Sequence, residues 1–154
     1  AAELAGPGEG PAALRCLGRA LQQAERCEEA VRVYDRLLKL DSRDLQALLG
    51  KGYCLRRRGD WSGSAREYSR ALLAAGPQEP RRSRILASRA FALARGGLLE
   101  EALADYEAVL RVWPADEHAQ ANREVVLALL EADRERRRRD KGKEPLEAES
   151  RMPC

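Results

Sequence analysis

From Pro11 onward, apolar residues recur at three- and four-residue intervals. Leu14, Leu17 and Leu21 fall on one face of a helix. After a break near Glu25–Cys27, Ala30, Tyr34, Leu37 and Leu38 mark a second amphipathic helix, which ends at Asp41-Ser-Arg-Asp44. The oxygens of that segment are placed to cap the helix that follows. The cycle then repeats. Leu48, Gly52 and Leu55 lead to a stop at Gly59-Asp60; Tyr68, Ala71 and Leu72 lead to one at Ala75-Gly76-Pro77. Leu86, Ala90 and Leu93 run to Gly96-Gly97, and Ala102, Tyr106, Val109 and Leu110 to Trp113-Pro114, where proline ends the helix. Helices joined by such short turns are predicted to form antiparallel hairpins.

The spacing between hairpins is fixed. Tyr34 and Tyr68 stand 34 residues apart, as do Gly18 and Gly52, Leu21 and Leu55, and Leu38 and Leu72. Tyr106 follows Tyr68 by 38, so the third unit is offset by four residues, placed in the turn at Gly76–Arg82, where insertions cost little. Small residues recur at the eighth place (Gly18, Gly52, Ala90) and the twentieth (Ala30, Ser64, Ala102), and an aromatic at the twenty-fourth (Tyr34, Tyr68, Tyr106). The small residues let the two helices of a hairpin approach closely. The aromatic fills the wedge between one hairpin and the next, and neighbours must stack because no hairpin can bury its apolar face alone.

A period of about 34 residues in helix–turn–helix units, with these residues at these places, resembles the tetratricopeptide repeat. The resemblance covers residues 11–116, in units 11–44, 45–78 and 83–116. Pro114 fills the family's proline place, where Ser42 and Gly76 stand in the other units. Lys51 and Arg89 depart from the pattern: they occupy the seventh place, which Leu17 makes apolar in the first unit. The expected architecture is all-α: a right-handed superhelical stack of three hairpins with a capping helix over 117–139. That helix carries Ala121, Val125, Leu127, Ala128, Leu129 and Leu130 and runs into RERRRRDKGK. Residues 1–10, with three glycines and a proline, are expected to be a flexible lead-in, and 140–154 a disordered tail.

Composition adds limits. Hydrophobic residues make up 44% of the 154, aromatics only 5%, and Ala, Leu, Arg and Glu favour helix. Basic and acidic residues nearly balance, 28 against 25, so only a local cluster could bind nucleic acid. No apolar run has the length of a membrane span, and AAELAGPGEG lacks the layout of a signal peptide. The absence of an initiator Met and the ending RMPC are expected of a fragment or an engineered boundary. Cys16, Cys27, Cys54 and Cys154 form no CxxC pair, and His118 is the sole histidine, so no zinc site or other cofactor is expected. Reduced cysteines point to the cytoplasm or, with the basic run 134–139 read as an import signal, to the nucleus.

No glycine-rich phosphate loop or catalytic constellation stands in the chain, and an enzyme is not expected. The resemblance implies instead that the first helix of each hairpin lines a concave groove. It places Arg15, Cys16, Arg19, Gln22 and Gln23 there from the first unit; Gln46, Leu49, Gly50, Tyr53, Arg56 and Arg57 from the second; and Arg84, Ala87, Ser88, Phe91 and Arg95 from the third. Six of these are arginine and none is acidic. The expected function is therefore a protein-interaction module, a scaffold, adaptor or co-chaperone-like domain. Arg15, Arg19, Arg56, Arg57, Arg84 and Arg95 would pair with the carboxylates of an extended acidic or carboxylate-terminated peptide, with Tyr53 and Phe91 giving apolar contact. Family members that clamp chaperone C-termini use Lys and Asn in the first repeat, Asn in the second, and Lys and Arg in the third. Arg15, Arg19, Gly50, Arg84 and Ser88 occupy those places, so the match is partial. Nucleic-acid binding through the arginine clusters and structural self-association are the alternatives.

Overall fold

The structure, a computed structural model, describes residues 10–143. All of the expected lead-in but Gly10, and the expected tail from residue 144 on, lie outside the described residues. The described residues form α1 (Pro11–Gln23), α2 (Cys27–Leu40), α3 (Leu45–Arg57), α4 (Trp61–Ala75), α5 (Arg82–Arg95), α6 (Leu99–Val112) and α7 (Glu117–Lys141), with no strand among them. α1 pairs with α2, α3 with α4 and α5 with α6, and each hairpin stacks on the next, ending in α7 against α6.

The helix ends follow from local chemistry. Pro11 opens α1, where a missing N–H costs nothing. Asp44, Asp60 and Asp116 cap α3, α4 and α7: one carboxylate oxygen of each accepts the backbone N–H three residues on, at 2.9 Å. The turn inside every hairpin is the same. The N–H of Arg26, Asp60 and Leu98 donates to the carbonyl five residues back, of Leu21, Leu55 and Leu93, each at 2.9 Å. Such a closure needs a left-handed residue just before the donor. Gly59 (φ 80°) and Gly97 (φ 86°) supply it in the second and third hairpins, whereas Glu25 (φ 58°) holds it in the first.

The core runs as three joined clusters. The first holds Leu14, Leu21, Val33, Tyr34 and Leu37; the second Leu48, Tyr68, Leu72 and Ile85; the third Tyr106, Val109, Val126 and Leu130. Leu38 packs against the first two and Leu86 against the last two, so apolar contact runs the length of the stack. Cys27 and Cys54 are free thiols in the first cluster, and Cys16 is exposed. Burial and a hydrogen bond with Cys27 push the Cys54 thiol up to about 12.

The two departures from the repeat pattern resolve into ion pairs. Lys51 Nζ lies 2.8 Å from Asp35 and 3.5 Å from the buried Glu67. Arg89 donates two parallel hydrogen bonds of 2.7 Å to the buried Asp105 and a third, of 3.1 Å, to Ser69. The Asp105 bond holds the Arg89 guanidinium above its ordinary value, against the opposing effect of burial.

Candidate functional site

The first helices of the three hairpins, α1, α3 and α5, line a cavity of about 440 Å³. Arg19 and Gln22 come from α1, Gln46, Leu49 and Gly50 from α3, and Arg84, Ile85 and Ser88 from α5; Arg81, just before α5, adds a third guanidinium. Tyr34 and Tyr68 close it from beneath. No carboxylate is among the lining residues. Arg81 is tied to Glu79 at 2.6 Å, but Arg19 and Arg84 form no ion pair among the described residues. The cavity is thus a cationic recess with an uncharged floor.

The floor explains a missing side chain. The Tyr34 ring packs on Gly18 of its own hairpin and on Gly50 of the next. A Cβ at Gly18 would lie 2.5 Å from the ring, and one at Gly50 would overlap it outright. The Tyr34 hydroxyl donates to Gln22 Oε1 at 2.8 Å, which fixes both groups under the recess. Position 50 therefore has no room for the asparagine that the chaperone clamps place there. Desolvation raises the Tyr34, Tyr68 and Tyr106 phenols, that of Tyr106 to about 12, so all three stay neutral well above pH 7.

The eight predicted site residues fall into three groups. Arg19 and Arg84 line the recess. Tyr53, Arg56, Phe91 and Arg95 gather toward the C-terminal ends of α3 and α5. There the Arg56 guanidinium sits 5.4 Å from the centroids of both the Tyr53 and Phe91 rings, while Arg95 covers Trp61 at 4.9 Å. Trp61 meets Phe91 edge to face, 6.2 Å apart. Arg15 and Arg57 belong to neither group. Arg15 grips Asp44 at 2.6 Å and so steadies the carboxylate that caps α3. Arg57 pairs with the exposed Glu25 at 3.0 Å.

Sequence reasoning missed two residues here. Arg81 sits in the inserted turn, outside the repeat register that located the others. Trp61 opens a second helix, away from the positions expected to face inward; its place directly after the Gly59-Asp60 stop was its one signal.

The basic run is exposed at the end of α7, with Arg136 and Arg139 near Asp133 (3.7 Å) and Glu135 (4.0 Å) of the same helix. Among the described residues no group of three or more His, Cys, Asp or Glu side chains could hold a metal ion, and no helix is long and apolar enough to cross a membrane.

Three stacked hairpins closed by a seventh helix define a helical repeat protein of the tetratricopeptide fold. The tetratricopeptide repeat family profile matches residues 17–80, most of the first hairpin and all of the second. A search of curated proteins returns no match. Among solved structures, the first repeat domain of Spaghetti (RPAP3), bound to the HSP90 peptide SRMEEVD, is 18% identical with a TM-score of 0.69, covering 78% of this chain and 92% of that one. The second such domain of human RPAP3, in complex with the HSP70 peptide SGPTIEEVD, is 20% identical with a TM-score of 0.66, covering 76% and 98%. The Yersinia enterocolitica type III secretion chaperone SycD, in complex with a peptide of the translocator YopD, is 22% identical with a TM-score of 0.60, covering 82% and 93%. At these identities the likeness is one of fold.

Proposed function

We propose that this chain is a non-enzymatic peptide-binding module that takes the carboxylate end of an extended peptide into the recess across α1, α3 and α5. One observation carries the reading: Arg19 and Arg84 face the same cavity without a counter-ion among the described residues and above a floor of neutral groups. A guanidinium left without an acid partner is suited to bidentate pairing with a carboxylate. The similar folds support the reading, because each holds a peptide, and two of those peptides end in EEVD. Gln22, Gln46 and Ser88 add neutral hydrogen-bonding groups around the same space, suited to the backbone of an extended ligand. The module acts as a scaffold or adaptor, with recognition by complementarity alone.

The test is fluorescence anisotropy with acidic peptides bearing free or amidated C-termini. Free carboxylates are expected to bind more tightly, and the Arg19→Ala/Arg84→Ala pair to weaken them by roughly 100-fold, two charge-assisted contacts being lost. Binding should fall with rising salt. Equal affinity for amidated peptides would remove the carboxylate from the reading, and a folded domain that binds none of them would remove the groove.

A further inference from the structure

α7 ends the stack with one face covered and the other open. Ala119, Val126 and Leu130 are buried in the core cluster of the third hairpin. On the exposed side, Ala121, Val125, Ala128 and Ala132 follow one another at steps of four, three and four residues, with Leu129 beside them. Such steps keep side chains on one line of a helix, the seam along which two helices pack. Val125 is 59% exposed and Leu129 47%, so no other element covers the seam among the described residues. From 121 to 132 it runs roughly 17 Å.

The repeat shows what such a face receives. Counted as a fourth first helix from residue 117, α7 places Ala121 fifth and Ala128 twelfth. On α3 the fifth and twelfth places are Leu49 and Arg56, and both meet the next first helix: Leu49 packs in the cluster that holds Ile85, and Arg56 lies over the Phe91 ring. The fifth place of α1 is Arg15, which grips the residue capping α3. This face is therefore suited to lie against a helix. α7 does not supply one by folding into a hairpin. At the eighth place, where Gly18 and Gly52 seat the tyrosine of the second helix, it carries Glu124, and it continues to Lys141 without a turn.

Charge describes the missing helix. Glu117, Glu124 and Glu131 stand seven residues apart along one edge of the seam, all exposed and without an ion pair among the described residues. The opposite edge carries His118, Asn122 and Arg136. We propose that α7 docks an amphipathic helix of another protein, one with an apolar seam to cover Val125 and Leu129 and a row of Lys or Arg to meet the three glutamates. The surface is separate from the peptide recess and does not depend on it. The module would then hold two partners at once, an extended peptide across its first helices and a helix on its last.

The experiment uses labelled 21-residue synthetic helices with Leu along the seam and either Lys or Glu at every flanking position, read by fluorescence anisotropy on the full chain. The Lys-flanked helix is expected to bind about tenfold more tightly, the combined effect of three exposed ion pairs. The chain's net charge of +3 favours the Glu-flanked helix in general, so a Lys preference reports the local edge. Glu117→Lys/Glu124→Lys/Glu131→Lys should reverse the preference. Val125→Ser/Leu129→Ser should weaken the Lys-flanked helix by roughly tenfold through lost apolar contact. Arg19→Ala/Arg84→Ala should leave it unchanged, which separates this surface from the recess. All the substituted side chains are exposed or line the recess, and circular dichroism checks the fold. A Lys preference that survives the triple substitution, or affinity untouched by Val125→Ser/Leu129→Ser, overturns the docking surface, as does binding of neither helix. A concentration-dependent dimer abolished by Val125→Ser/Leu129→Ser also overturns it, because the seam is then covered by a second copy of the chain.

Discussion

The first and third hairpins fill the same places in the repeat with opposite chemistry. In the first, the seventh and twenty-third places are Leu17 and Val33, members of one apolar cluster. In the third they are Arg89 and Asp105, joined by two 2.7 Å hydrogen bonds; the second hairpin sides with the third through Lys51 and Glu67. The hairpin geometry therefore does not depend on which solution is used, provided both places change together. A partly buried ion pair adds little net stability over a well-packed apolar pair, but losing one partner leaves a charge unpaired in the interior. The left-handed turn differs as well, with Gly59 and Gly97 against Glu25. The first hairpin is apolar where the others are ionic, and strained where the others are relaxed.

The largest effect should come from separating the ionic pair. Arg89→Leu leaves the buried Asp105 carboxylate without its partner and is expected to lower stability by about 3 kcal/mol. Adding Asp105→Val, which copies the first hairpin into the third, should bring stability back to within about 1 kcal/mol of the parent. Urea denaturation of the two variants decides it; a double variant as unstable as the single one would mean that the two solutions are not interchangeable.

A smaller difference should appear at the paired glycines. Gly18→Ala forces its methyl group into the Tyr34 ring and should lose about 2 kcal/mol by overpacking. At Gly52 the nearest Tyr68 atom would be 3.1 Å away, a contact relieved by a small shift. There the helix preference of alanine, worth about 1 kcal/mol, offsets the crowding and brings the change close to zero. Equal losses from thermal melts would show that the two interfaces are equally tight.

The smallest effect is a gain. Glu25→Gly relieves a left-handed side-chain residue and should raise stability by about 0.5–1 kcal/mol, since the exposed ion pair with Arg57 that it removes is worth little. No change in the melting midpoint would mean that this pair offsets the strain.

These contrasts show which parts of the molecule were readable in advance. The helices, their order and the tyrosine wedges were legible because each depends on residues close in sequence, repeated at one period. Lys51 and Arg89 stood out as departures, but Glu67 and Asp105 sit on the opposite helix of the hairpin, and Asp35 and Ser69 on the hairpin before. The signal was present in the register itself: Val33, Glu67 and Asp105 change in step with Leu17, Lys51 and Arg89. Asp44 was legible as a cap, whereas its hold on Arg15 was not, because that contact joins separate hairpins. The periodic pattern carried Arg19 and Arg84 to the recess, yet could not distinguish arginines facing open space from those lying on rings. That distinction depends on Trp61, which arrives from a second helix.

Trp61 also makes the groove observable without a label. Its indole lies under Arg95, while the other tryptophan, Trp113, is exposed in the turn between α6 and α7, at the opposite edge of the stack. A ligand that draws the Arg95 guanidinium away changes the polarity around one emitter and leaves the second as an internal standard. The chain thus carries its own optical gauge of occupancy, with the signal of one tryptophan divided by that of the other.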